Sequence, residues 1–290
     1  MTWRVTGYTA PFPLIETHTV AILFCLCYNI HNQSWMAIHM TKPAPSSMER
    51  TDSTIEDIFP NWRARNDRQV SERVDAYFRP DASAPWMLFG LQLDRHVVGA
   101  IVVSTLLLTI EYYHRFLSLK AYDRLLLFLF VPVLWVALVW RQSPGWYGLQ
   151  WGDWRAGARY TLAAILVMGV ILFFVAQNPA FVGYYGGRIR ALPQLLLENA
   201  ADLFGWEFLF RGFLLFALAR RFGPEAIFLQ AVPFAIAHLS KPELETITTI
   251  FGGAAFGYLA WRTRSMLYPF LIHWFMQSWV IFIAGGGLGR

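Results

Sequence analysis

The run Val97–His114, VVGAIVVSTLLLTIEYYH, and the run Arg124–Trp140, RLLLFLFVPVLWVALVW, decide the fold class of this chain. Each is a nearly unbroken apolar stretch, and about 20 such residues rising about 1.5 Å each cross a hydrocarbon layer of about 30 Å as one helix. The short loop between them holds Arg115, Lys120 and Arg124, charges of the kind that flank lipid-spanning helices. Two consecutive spanning helices follow. The composition agrees: the 290 residues are 56% hydrophobic and 17% aromatic but only 15% charged, with a mean hydropathy of +0.38. Soluble domains carry about a quarter of their residues charged. The net charge of +5 is spread through short stretches between apolar runs, so it reads as a topology signal and excludes nucleic acid as a partner. Cys25 and Cys27 have no companion pair, the wrong pattern for a disulfide framework or a zinc knuckle.

Upstream, residues 1–48 form a poorly defined N-terminal segment. Its apolar stretch Ala21–Tyr28 is too short to span, and Glu16 and His18 before it are out of place in a signal peptide. A native translation start at Met40 or Met48 is a hypothesis here, and finding residues 1–39 in the mature protein would sink it. Residues 49–95 are polar and rich in both charge signs, which suits a cytoplasmic tail. Residues 96–190 hold the N-terminal spanning helices, including a third span at Tyr160–Ala176, after an aromatic, turn-rich interfacial segment from Ser143 to Arg155. Residues 191–290 add helices around Ala191–Arg221, Pro224–Leu239, Thr246–Trp261 and Ser265–Ala284. The expected fold is all-α, a polytopic transmembrane helical bundle of about seven spans in a plasma or inner membrane, with lipid as its surroundings.

The polar residues that interrupt the last hundred positions carry the chemistry. Glu198, Asp202, Glu207 and Arg211 stand among Leu and Phe, although a central charge costs about 2.5–3.5 kcal/mol on insertion scales. Glu207 and Arg211, four apart, share a helix face and can pair, which serves structure as readily as function. His238 closes one apolar segment, and His273 and Gln277, again four apart, project from one face of the last. A carboxylate, two imidazoles and a carboxamide in one cavity would be the minimal kit for hydrolysis. Gly253 and Gly257 let neighbouring helices approach closely.

Three stretches, Trp206-Glu207-Phe-Leu-Phe-Arg211-Gly212, Phe234-Ala-Ile-Ala-His238 and His273-Trp-Phe-Met-Gln277, resemble, in this order, the motifs of the CAAX prenyl protease and bacteriocin-processing family of intramembrane proteases. That family is known by Glu-Glu-x-x-x-Arg, Phe-x-x-x-His and His-x-x-x-Asn on neighbouring helices. The resemblance spans Leu192–Ala284 and implies an intramembrane endopeptidase acting on a membrane-associated protein or peptide. It assigns catalytic positions to Glu207, Arg211, His238, His273 and Gln277, the last replacing the family's asparagine. Trp206 stands where the family places its first glutamate, the usual base. Asp202, one turn earlier and about 6 Å along the helix, is one substitute; Glu245 is another, and Glu207 itself a third. The family is described both as metal-dependent and as metal-independent, so two cofactor readings stand: Zn2+ on His238, His273 and Glu207, or no metal. A non-catalytic scaffold or immunity-type relative is the alternative function, and a solute transporter is disfavoured by the absence of a repeat.

Overall fold

The structure is a computed structural model that describes residues 85–287. The Ala21–Tyr28 stretch, Cys25 and Cys27, the candidate start codons and most of the polar tail lie outside the described residues. A two-residue turn at Phe89–Gly90 joins strands β1 (Trp86–Leu88) and β2 (Leu91–Leu93), paired antiparallel. Helices make up nearly all the rest, as the apolar runs require.

Helix α1 (Arg95–Tyr113) begins at Asp94, whose Oδ1 accepts from the His96 and Val97 amides at 2.9 and 3.1 Å, satisfying two of the free N–H groups of the first turn. Helix α2 (Lys120–Val139) returns antiparallel, with π-type turns at Leu126–Phe130 and Trp135–Val139. Asp123 closes the loop between them by accepting from the Phe116 and Leu117 amides. Helix α3 (Trp154–Val175) turns Leu162, Leu166, Val170 and Phe174 outward, a stripe spaced four apart that has no core to face and suits lipid. Helix α4 (Pro179–Tyr185) is a short connector.

The centre is one long helical stretch. Helix α5 (Leu192–Glu207) passes into a π-helical segment, Phe208–Leu214, and then into α6 (Leu215–Phe222). Every residue from Gly205 to Ala219 is buried, so this polar-bearing stretch is the axis that the other helices surround. Gly205 permits that: a Cβ there would sit 2.5 Å from the Arg124 carbonyl oxygen of α2. Two short helices, α7 (Ala226–Leu229) and α8 (Ala231–Ile236), then bring the chain to His238, and α9 (Glu243–Thr263) and α10 (Leu267–Ala284) complete the bundle. Gly253 and Gly257 do allow close approach, since added Cβ atoms would meet Phe234 and Ala231 at the first and Gln230 and the Ile227 carbonyl at the second.

Among the described residues four helices are long and apolar enough to cross a membrane: α1, α2, α3 and α10. The three other segments expected to span are shorter, broken or more polar and fall outside that measure of length and composition. The expected Pro224–Leu239 span is divided at Gln230, and α9 carries Glu243, Glu245 and a run of threonines. The class is unchanged: a multi-pass, all-helical membrane bundle.

One end of the bundle is tied together by loops. The His96 and Trp140 rings lie 4.8 Å apart, Trp140 stacks on Tyr147 at 5.4 Å, and Arg220 sits 5.2 Å over the Tyr147 ring. The Asp153 amide donates to the Thr263 carbonyl at 2.9 Å and the Met266 amide to the Gly148 carbonyl at 3.0 Å. Gly152, at φ +53°, is required there because a side chain would overlap the Thr263 carbonyl oxygen. Trp146, Trp151 and Trp154 are exposed at this same end, the pattern of an aromatic belt at a membrane–water boundary.

Candidate active site

Glu207 ends α5 and Arg211 lies within the π-helical segment, both with no exposed surface. Arg211 Nη1 donates to Glu207 Oε1 at 3.2 Å. From α10, His273 Nδ1 approaches the same Oε1 at 2.6 Å. One carboxylate oxygen therefore gathers two motifs that lie 66 residues apart, while Glu207 Oε2, Arg211 Nε and Arg211 Nη2 make no hydrogen bond among the described residues. A charged group with so few partners is expensive to bury, so the rest of its surroundings must compensate. Part of the compensation is aromatic. The Arg211 guanidinium lies 3.7 Å over the Phe234 ring and 5.4 Å from Phe256, cation–π geometry that gains strength where water is excluded.

His238 is held just beyond the end of α8 by its Nδ1, 2.7 Å from the Phe234 carbonyl oxygen, and its own carbonyl accepts from Thr246 Oγ1 of α9. A carbonyl oxygen only accepts, so Nδ1 carries the proton and Nε2 of the neutral ring keeps its lone pair. The same reasoning applies to His273: Nδ1–H donates to the Glu207 carboxylate and leaves Nε2 as the basic nitrogen. Phe234 links the two imidazoles, its ring centroid 4.5 Å from that of His238 and 6.0 Å from that of His273. Three of the residues singled out from sequence, Arg211, His238 and His273, thus meet around one phenyl ring, and Glu207 joins them through its bonds to Arg211 and His273.

The others are placed differently. Gln277 Nε2 donates to Asn199 Oδ1 at 3.1 Å, and Asn199 Nδ2 donates to Ser278 Oγ at 3.0 Å, so the carboxamide belongs to a neighbouring polar cluster between α5 and α10. Asp202 offers both oxygens to Arg124 Nη1, at 2.8 and 3.1 Å, instead of facing the histidines. Arg124 also donates to Glu111, which pairs with Lys120 at 3.0 Å. Glu245 is held by Lys241 and by the Tyr185 hydroxyl, each at 2.7 Å. Burial, reinforced by the charge of Glu245, pushes the Tyr185 phenol above its usual range and keeps it a hydrogen-bond donor. Of the three carboxylates considered as substitutes for the missing base, Asp202 and Glu245 are therefore engaged elsewhere, and Glu207 alone contacts a motif histidine.

Trp206 fills its position with packing. Its ring lies 5.6 Å from Phe128, 5.1 Å from Phe210, 6.2 Å from Phe234 and 6.1 Å from His238, and the Arg124 guanidinium covers it at 4.5 Å. Arg124 was read in the sequence only as a flanking charge, and Asn199 and Glu111 were not singled out. Glu111 did leave a signal: it is the one acidic residue in the run Val97–His114. Asn199, two turns before Glu207, is a polar residue on the same inward-turned helix. Concerning zinc, His238, His273 and Glu207 do not form a donor cluster in this arrangement. Among the described residues no group of three or more His, Cys, Asp and Glu side chains is close enough to hold a metal ion.

Residues 189–279 match the family described as type II CAAX prenyl endopeptidase Rce1-like, a segment that contains all three motifs and less than a third of the chain. No curated protein and no solved structure matches.

Proposed function

With residues 189–279 placed among type II CAAX prenyl endopeptidase-like sequences, we propose that this chain is an intramembrane endopeptidase that hydrolyses a peptide bond of a membrane-associated protein or peptide. The observation that carries the reading is the 2.6 Å contact between His273 and Glu207, with Arg211 on the same oxygen. A carboxylate that accepts from the Nδ1–H of an imidazole fixes its tautomer and stabilises the imidazolium that forms when Nε2 takes a proton. In the proposed reaction His273 Nε2 removes a proton from water. The oxygen adds to the scissile carbonyl, and the proton passes to the leaving amine as the C–N bond breaks. His238 Nε2 is the second group able to bind that water, and Arg211 holds Glu207 in place. No metal enters these steps.

A second reading, a non-catalytic scaffold, draws on Trp206: the ring stands where the family has a glutamate, packed under Arg124 with no carboxylate at that point. The two readings separate in a comparison of membrane-peptide termini between wild type and the His238→Ala and His273→Ala variants. The proteolytic reading expects specific termini to vanish in both variants while the protein accumulates normally in the membrane. Identical termini in all three strains would sink it in favour of the scaffold.

A further inference from the structure

The β1–β2 hairpin is in the wrong place for a solvated ribbon. Its register pairs Trp86 with Leu93 and Leu88 with Leu91, and because side chains on paired positions share a face, these four apolar residues lie together on one side. Met87 and Gln92 take the other side. The apolar side is largely uncovered, with Leu88 52% and Leu91 61% exposed, and Phe89 at the tip is 94% exposed. Phe89 also has a positive φ of 51°, followed by Gly90 at 79°, the backbone of a tight primed turn in which a bulky residue is uncommon. A two-stranded hairpin of this size is marginal in water unless its apolar face packs against something.

Position identifies what covers it. Asp94 directly follows β2 and caps α1, a membrane-spanning helix whose Val102 and Leu106 are themselves exposed to lipid. The start of α1 lies against Trp140, at the same end as the exposed Trp146, Trp151 and Trp154. The hairpin thus leaves the bundle at the level of the aromatic belt, continuous with the lipid-facing surface of α1. Arg95, Arg141 and Arg155 belong to the chain segments that form this end, a basic composition that favours anionic headgroups. We propose that the hairpin is a lipid-inserting finger: the Phe89 tip and the Trp86, Leu88, Leu91 and Leu93 face occupy the headgroup–acyl boundary of the bilayer, with Gln92 turned to water.

The test uses the full chain with Cys25 and Cys27 replaced by Ser, carrying Phe89→Cys, Leu91→Cys or Gln92→Cys labelled with a nitrobenzoxadiazole fluorophore. The labelled protein is reconstituted in phosphatidylcholine–phosphatidylglycerol vesicles. Labels at 89 and 91 are expected to be quenched several-fold more by nitroxide on the upper acyl chain than the label at 92, which iodide in the water should quench instead. Equal iodide quenching at all three positions would overturn the proposal by placing the hairpin in water. Protection at 89 and 91 from both quenchers would overturn it equally, by placing protein over that face. Neither readout depends on proteolytic activity.

Discussion

Glu207→Gln isolates the buried charge pair. At 3.2 Å and an effective dielectric constant of about 20, the Glu207–Arg211 attraction is about 5 kcal/mol. Breaking a buried pair by removing one partner costs about 3–5 kcal/mol, since the surviving charge keeps its burial and loses its counter-charge. The glutamine oxygen can still accept one hydrogen bond, which points to the lower end, about 3 kcal/mol. Among the described residues Arg211 Nε and Nη2 have no hydrogen-bond partner, so little else there absorbs the loss. Arg211→Met added to Glu207→Gln removes the stranded cation and keeps an apolar chain against Phe234, so the double variant should recover at least about 2 kcal/mol relative to the sum of the singles. Denaturing-detergent titration of the purified protein, followed by circular dichroism, measures both. Cleavage should stay lost in the double variant, because His273 Nδ1 no longer faces a carboxylate. A loss from Glu207→Gln below about 1 kcal/mol, or strict additivity in the double variant, would refute the account of a tightly coupled pair.

Glycine substitutions should rank by what a methyl group would meet. Gly205→Ala forces a Cβ to within 2.5 Å of backbone on α2 and should cost about 1–3 kcal/mol in the same titration, whereas Gly252→Ala, with nothing within 4 Å, should be neutral or slightly stabilising. Asp153 caps α3, and its bond from the Ala156 amide, helped by Arg262, holds its carboxyl below the usual range. A depressed carboxylate contributes stability that is present above its unfolded pKa and lost as the pH falls through the folded one. Being 44% exposed, the Asp153 side chain should contribute less than about 1 kcal/mol; Asp153→Ala should lose that contribution at pH 7 and converge on the wild type as the pH falls below about 4.

What the chain discloses in advance depends on whether a signal is local. Apolar runs specify α1, α2, α3 and α10 because spanning lipid needs only length and hydropathy, and Glu207 with Arg211 is legible because helix periodicity alone brings residues four apart together. The meeting of His273 with Glu207 followed from three short motifs taken jointly. The same periodicity misplaced Asp202. It does lie near Trp206 on the helix, but its partner, Arg124, is 78 residues away and belongs to α2, which no local pattern could announce. Gln277 is drawn to Asn199 across an equal separation. The hairpin escaped notice because three-residue strands with apolar residues on both sides of a Phe-Gly turn carry no clear alternation.

Glu207 holds Arg211 and His273 through one oxygen and leaves the other without a bond. That asymmetry concentrates the joint, because a single atom is the hinge pin between α10 and the central helical stretch. A change that moves that one atom therefore loosens both contacts together. A carboxylate clasped through both oxygens, as Asp202 is by Arg124, spreads its hold over two atoms instead.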